Sequence, residues 1–305
     1  MSDSIKGIRE NTGLRLAVLF GSFCMLLAVA SGIFLVLSEI NGLDRRGALL
    51  LSSAVQCVLA FCIPAWLCAR FASGKPAEWL GLTGGCRLRQ FAGVVILYVL
   101  ALPALNQLIA WNAGLHLPEW TGGLEGQLRE MEDAAADTTS LILSFSGIPG
   151  LLATVLVVGV LTGFSEELFF RGALQKVFVG SRIGVAASVW MAAFIFSAVH
   201  FQFFGFVPRL LMGAMFGYLL IWTRSLWVPV FAHALNNSMV VIASHIAGDG
   251  EASIDSFGVS AEGGVPWGAV ASACATALFL WRFRHYFFSP RTGVGSLDSR
   301  EGVDS

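Results

Sequence analysis

Charge is what this chain has least of. Asp, Glu, Lys and Arg make up 13% of its 305 residues, whereas 56% are hydrophobic and the mean hydropathy is +0.73. A soluble domain carries about 25% charged and about 45–50% apolar residues. An aqueous globular domain is therefore excluded, and the fold class read from composition is an all-α polytopic membrane protein. With 19 basic against 20 acidic residues, no basic domain exists to hold nucleic acid. Cys24, Cys57, Cys62, Cys68, Cys86 and Cys274 contain no CxxC pair, so they read as small apolar side chains rather than a disulfide framework. An HExxH motif is missing, which removes the familiar soluble zinc-protease geometry. No internal repeat is evident, which speaks against an inverted-repeat transporter.

Long apolar runs are what the chain does have. About eight helices are expected, near 16–38, 47–69, 90–113, 147–170, 185–203, 208–223, 226–247 and 265–283. The first run follows Lys6, Arg9 and Arg15, and Ala28-Val29-Ala30 resembles a signal-peptide cleavage site. The run continues through Leu37, however, and a length of about 22 residues suits a retained span. The expected organisation is 1–146 for three spans and an acidic outer loop, 147–247 for a helical catalytic core, 248–288 for an outer loop and the last span, and 289–305 for a disordered cytoplasmic tail.

Alternating the spans from a cytoplasmic N-terminus puts Lys6, Arg9, Arg15, Arg70, Lys75, Arg87, Arg89, Arg171, Lys176, Arg182, Arg224, Arg282, Arg284, Arg291 and Arg300 inside. Only Arg45, Arg46, Arg129 and Arg209 fall outside. By the positive-inside rule both termini are cytoplasmic. The protein is expected in the lipid bilayer as a multi-pass protein, which in a bacterial cell would be the inner or plasma membrane. The acidic stretches Glu119 to Asp137 and Asp249 to Glu262 then lie outside, and Glu125 through Ala136 suits a surface helix capping the bundle with solvated acids. Gly213 and Gly217 form a GxxxG that lets a neighbouring helix approach closely.

Against this background Glu166-Glu167-Leu168-Phe169-Phe170-Arg171 is costly. One Arg at mid-membrane costs roughly 2.5–3.5 kcal/mol on insertion scales. Such a cluster persists where its members pair, face a wet cavity or do chemistry. Glu167 and Arg171 are four residues apart, one turn on the same face, and neutralise each other. Glu166 points elsewhere and borders aromatic surface, which suits a general base. His200 closes the run from Val189, and His233 and Asn237 lie one turn apart in a later helix. That last pair suits either an oxyanion cradle or interhelical hydrogen bonding. Together the set suffices for hydrolysis of a peptide bond: Glu166 takes a proton from water, His200 orients that water, and His233 with Asn237 holds the oxyanion. A rival assignment makes Glu166, His200 and His233 ligands of Zn²⁺. Two other functions stay in view, a non-catalytic scaffold or self-immunity protein and a proton-coupled transporter using the same residues as a relay.

Depth poses a problem for this set. His233 lies about 13 Å past Arg224, but His200 lies about 27 Å past Arg182. The two meet if the Glu166 helix continues past Lys176 and the next span enters late and tilted.

Read in order, the motifs EExxxR at Glu166 to Arg171, FxxxH at Phe196 to His200 and HxxxN at His233 to Asn237 resemble those of the CPBP intramembrane proteases. That family groups type II CAAX prenyl endopeptidases with bacteriocin-processing proteins. The resemblance covers about residues 147–247. It implies a conical cavity opening toward the cytoplasm and cleavage of a membrane-associated peptide, prenylated or a leader. It also implies catalysis by Glu166 and His200, oxyanion contacts from His233 and Asn237, support from Glu167 and Arg171, and either a zinc ion or a metal-free glutamate mechanism.

Overall fold

A computed structural model describes residues 11–40, 42–145, 147–181, 183–247 and 266–290. Every regular element among them is helical. The long helices are α1 (Thr12–Ser38), α2 (Arg45–Ala72), α3 (Leu88–Ala113), α4 (Leu124–Leu143), α5 (Gly147–Val179), α6 (Val185–Ala198), α7 (Phe206–Thr223), α8 (Trp227–Ala247) and α9 (Trp267–Phe287). The expected tail after 290, the acidic segment at 249–262 and the cations Lys6, Arg9, Arg182, Arg291 and Arg300 lie outside the described residues.

Among the described residues six helices are long and apolar enough to cross a membrane: α1, α2, α3, α5, α8, and α7 together with the helical turn before it. The expected fifth span, near 185–203, is the shorter α6 of 14 residues, about 21 Å, and the last, α9, closes on Arg282, Arg284 and His285. The α1 helix is apolar all round and leaves most of its surface outward, as lipid-facing helices do. Its Leu19 is buried, and Phe20 and Phe23 pack on Phe169 at ring distances of 6.1 and 5.2 Å. Phe61, Phe170 and Phe196 extend this aromatic cluster through the bundle centre.

The central helix is α5. It runs unbroken from Gly147 past Lys176 to Val179, which is the extension that the depths of the two histidines require. It is not a uniform α-helix. Two π-helical stretches, Val155–Leu161 and Leu168–Leu174, flank the short α-helical piece that carries Glu166 and Glu167. Thr162 donates its hydroxyl to the Val157 carbonyl five residues back, a bond that the wider turn permits. Such expanded turns concentrate at functional sites.

Two glycines bring α8 against α5. At Gly163 an added Cβ would sit 2.8 Å from the Ala234 nitrogen and 3.0 Å from its Cα, and Gly159 faces Ser238 at similarly close range. Gly159 and Gly163 form a GxxxG not singled out from the sequence. The Gly213–Gly217 motif serves packing within the chain: their carbonyls accept from Arg171 Nη2 at 2.9 Å and Gln175 Nε2 at 3.2 Å. Because the atoms facing Gly163 are backbone, they cannot yield. Gly163→Ala is expected to cost about 1–3 kcal/mol and to move His233 away from α5. Thermal unfolding in detergent should fall and cleavage should fall with it, whereas an unchanged melting temperature would refute this packing role.

Candidate active site

Arg171 is the largest fully buried side chain, and Glu167 beside it is also sealed from solvent. Arg171 Nη1 donates to Glu167 Oε1 at 2.7 Å, realising the pair expected from spacing. Its guanidinium carbon lies 4.5 Å from the Phe196 ring centroid and 5.4 Å from that of Phe216, so aromatic faces stand where water is absent.

The same Glu167 oxygen accepts a second bond, from His233 Nδ1 at 2.8 Å. A carboxylate only accepts, so Nδ1 carries the proton and Nε2 points onward. It points to Glu166, whose Oε2 lies 3.8 Å away. Phe216 stacks on the imidazole at 5.0 Å and Phe196 meets it edge-on at 5.8 Å. Thus Arg171, Glu167, His233 and Glu166 form one chain of contacts. Counted as two carboxylates, one guanidinium and one imidazolium, it is electroneutral. That is the condition under which four ionisable groups are tolerable inside a bilayer.

His200 arrives differently from expectation. Helix α6 ends at Ala198, and His200 occupies the turn that follows rather than the helix itself. Its Nδ1 donates to the Phe196 carbonyl at 2.8 Å, which leaves Nε2 as an acceptor. Phe201, next in the chain, takes a left-handed conformation with φ 53°, an uncommon state for a bulky residue and one typical of constrained functional turns. Three residues not singled out from the sequence hold this turn. Asn112 donates to the Phe203 carbonyl at 3.3 Å and accepts from the Val207 amide at 2.8 Å. Glu132 of α4 accepts the Phe204 amide at 3.0 Å, and Arg129 lies 3.9 Å over the Phe204 ring. The α4 acids are therefore not uniformly solvated, and this helix clamps the loop that presents His200.

Glu166, His200, Phe170, Cys57, Thr162 and Val158 line a cavity of about 310 Å³. Ser53, Gln56 and Phe61 of α2, Thr139, Ile142 and Leu143 of α4, and Val199 line it as well. Cys57 Sγ lies 3.5 Å from Thr162 Oγ1 there. Asn237 donates to the Val158 carbonyl at 3.2 Å, so it and His233 find different acceptors rather than one shared point. Among the described residues no three His, Cys, Asp or Glu side chains converge as a metal-binding group. Glu166, His200 and His233 do not form such a group.

Outside the spans, α4 is anchored at its start by Glu125. This carboxylate accepts from the Leu117 amide at 2.7 Å, from Arg129 Nε at 2.9 Å and from His116 Nδ1 at 3.0 Å. Those bonds, the Leu117 amide first, lower its pKa to about 2. Its unfolded value is about 4.3. Its contribution is therefore complete above about pH 4.3 and is lost as pH falls through the folded value near 2. Acidification from about pH 5 toward pH 2 is expected to release the start of α4, read as lost amide-exchange protection at Leu117, relative to the intrinsic rate at each pH, with α5 unchanged. Equal protection of Leu117 across that range would rule the anchor out.

These features define a polytopic membrane protein with a carboxylate–imidazole site buried at the bundle centre. Residues 148–239 match the family model described as type II CAAX prenyl endopeptidase Rce1-like. All six candidate residues fall within the match. The Staphylococcus aureus membrane-embedded CAAX protease MroQ is 32% identical over 117 residues, 36% of this chain and 46% of its own. YpbD of Bacillus subtilis is 32% identical over 96 residues, 30% of this chain and 44% of its own. YdiL of the same organism is 29% identical over 147 residues, 44% and 55% of the two chains. The chain thus spans about half the length of the curated relatives it matches. No solved structure matches it significantly.

Proposed function

We propose that the protein is an intramembrane endopeptidase that hydrolyses a peptide bond in a membrane-associated peptide, with Glu166 as general base. The observation that carries this reading is the shared cavity of Glu166 and His200, with His233 Nε2 lying 3.8 Å from the Glu166 carboxylate. The Rce1-like match and the name carried by MroQ support it.

A water held by His200 Nε2 loses a proton to Glu166, and its oxygen bonds to the scissile carbonyl carbon. The carbonyl oxygen becomes an oxyanion, which the His233 Nε2–H and an Asn237 N–H stabilise. Collapse breaks the C–N bond, and Glu166 returns its proton to the leaving amine. His233 must be an imidazolium for this role, because its Nδ1 proton is already given to Glu167. Glu166 ionised with His233 charged holds the same number of protons as both neutral, so the site reaches the reactive arrangement without importing charge.

The test is cleavage of a membrane-anchored reporter peptide by purified protein in liposomes. Activity should survive dialysis against a chelator that leaves the preparation free of zinc by metal analysis. Activity lost with the metal and restored by zinc alone would replace the glutamate mechanism with a metal-assisted one. No cleavage of any anchored peptide would withdraw the protease reading.

A further inference from the structure

The two ends of the bundle differ in charge and in how they are closed. Contacts identify one end by Trp79 to Gln90, Lys176, Ser225 to Trp227 and Ser289: Trp227 Nε1 donates to Leu82 O at 2.9 Å, Ser225 Oγ to Gly84 O at 3.1 Å, Gln90 Nε2 to Ser289 O at 2.9 Å, and Lys176 to Trp79 O. Among the described residues this end holds Arg15, Arg70, Lys75, Arg87, Arg89, Lys176, Arg224, Arg282 and Arg284. The opposite end, where α4 meets Phe204 and Asn112, holds Arg45, Arg46, Arg129 and Arg209.

The basic end is sealed. Leu80, Leu174, Val177 and Leu226 are buried there, and the Leu226 amide bonds to Gly81 O at 3.4 Å. The cavity reaches toward the other end: Thr139, Ile142 and Leu143 of α4, Ser53 and Gln56 in the half of α2 nearer Arg45, and Val199 beside His200 are among the residues that line it.

Positive charge marks the cytoplasmic side. We propose that the catalytic cavity is entered from the extracytoplasmic side, so that its substrate is an exported or outward-facing peptide segment. The proposal rests on the protease reading for its substrate, and it reverses the cytoplasmic opening implied by family resemblance. In it α4 is the outer rim over which a peptide enters, and the sealed basic end keeps cytosolic chains out.

The test is side-specific labelling of the full chain in intact cells with a charged, membrane-impermeant maleimide, read peptide by peptide by mass spectrometry. Thr139→Cys probes the rim and Glu78→Cys, at an exposed position, probes the sealed end. Asp137→Cys, on the exposed face of α4, covers the case in which Thr139→Cys disturbs folding. The rim cysteines should be labelled in intact cells, and Glu78→Cys only once the membrane is opened. The reverse pattern, or rim cysteines protected until the membrane is opened, overturns the proposal. The same pattern is expected in a Glu166→Gln background. Correct labelling without cleavage would therefore sink the protease reading alone, and reversed labelling with cleavage would sink the sidedness alone.

Discussion

Glu166→Gln is expected to abolish cleavage, with a loss of roughly 10²–10⁴-fold, the usual worth of a general base. Abundance and melting temperature should stay near those of the parent protein. The amide keeps the shape of the carboxylate, whose Oε2 lies 3.8 Å from His233 Nε2 without a hydrogen bond to it, but it cannot take a proton from water. Glu166 shares none of the short bonds that tie Glu167 to Arg171 and His233, so little structure depends on its charge. Turnover in liposomes decides the matter, and a Glu166→Gln protein as active as its parent would end the case for this mechanism.

Arg171→Ala is expected to fail by another route. It strips the guanidinium from Glu167, which is 0% exposed, and leaves a carboxylate without its countercharge. Breaking a buried pair on one side costs about 3–5 kcal/mol, a large share of a total stability of about 5–15 kcal/mol. Loss from the membrane fraction and a lowered melting temperature should accompany loss of activity. Replacing both partners, as in Glu167→Leu with Arg171→Met, should recover much of the abundance, because apolar substitutes for a buried pair are often neutral. It should not recover cleavage, because His233 then lacks the acceptor that fixes its ring. Recovery of both would make the pair purely structural, and recovery of neither would place its importance in folding alone.

The parts of this site legible in the sequence are the local ones. Glu167 and Arg171 sit one turn apart, and covalent geometry alone brings them together. The apolar runs were readable for the same reason, since each depends on composition within its own segment. What could not be read depends on which helices touch. Nothing near His233 announces that Glu167, 66 positions earlier, will hold its Nδ1. Nothing near Phe204 names Glu132 as its partner. The Gly159–Gly163 spacing was the one available sign of the α5–α8 approach. His200 was placed within a helix because hydropathy continues past Ala198, whereas the backbone has already turned. The π stretches left no local mark, as the wider turn is set by neighbours rather than by the residues it contains.

Those wider turns make residue count, and not only residue identity, part of the catalytic machinery. Glu166 is aimed by two slack coils of backbone, one on either side. In a regular α-helix one residue more or less turns a side chain by about 100°. The two wider coils each hold about one residue beyond the α-helical count, so they are the places in this helix where a change of length can be taken up without turning Glu166.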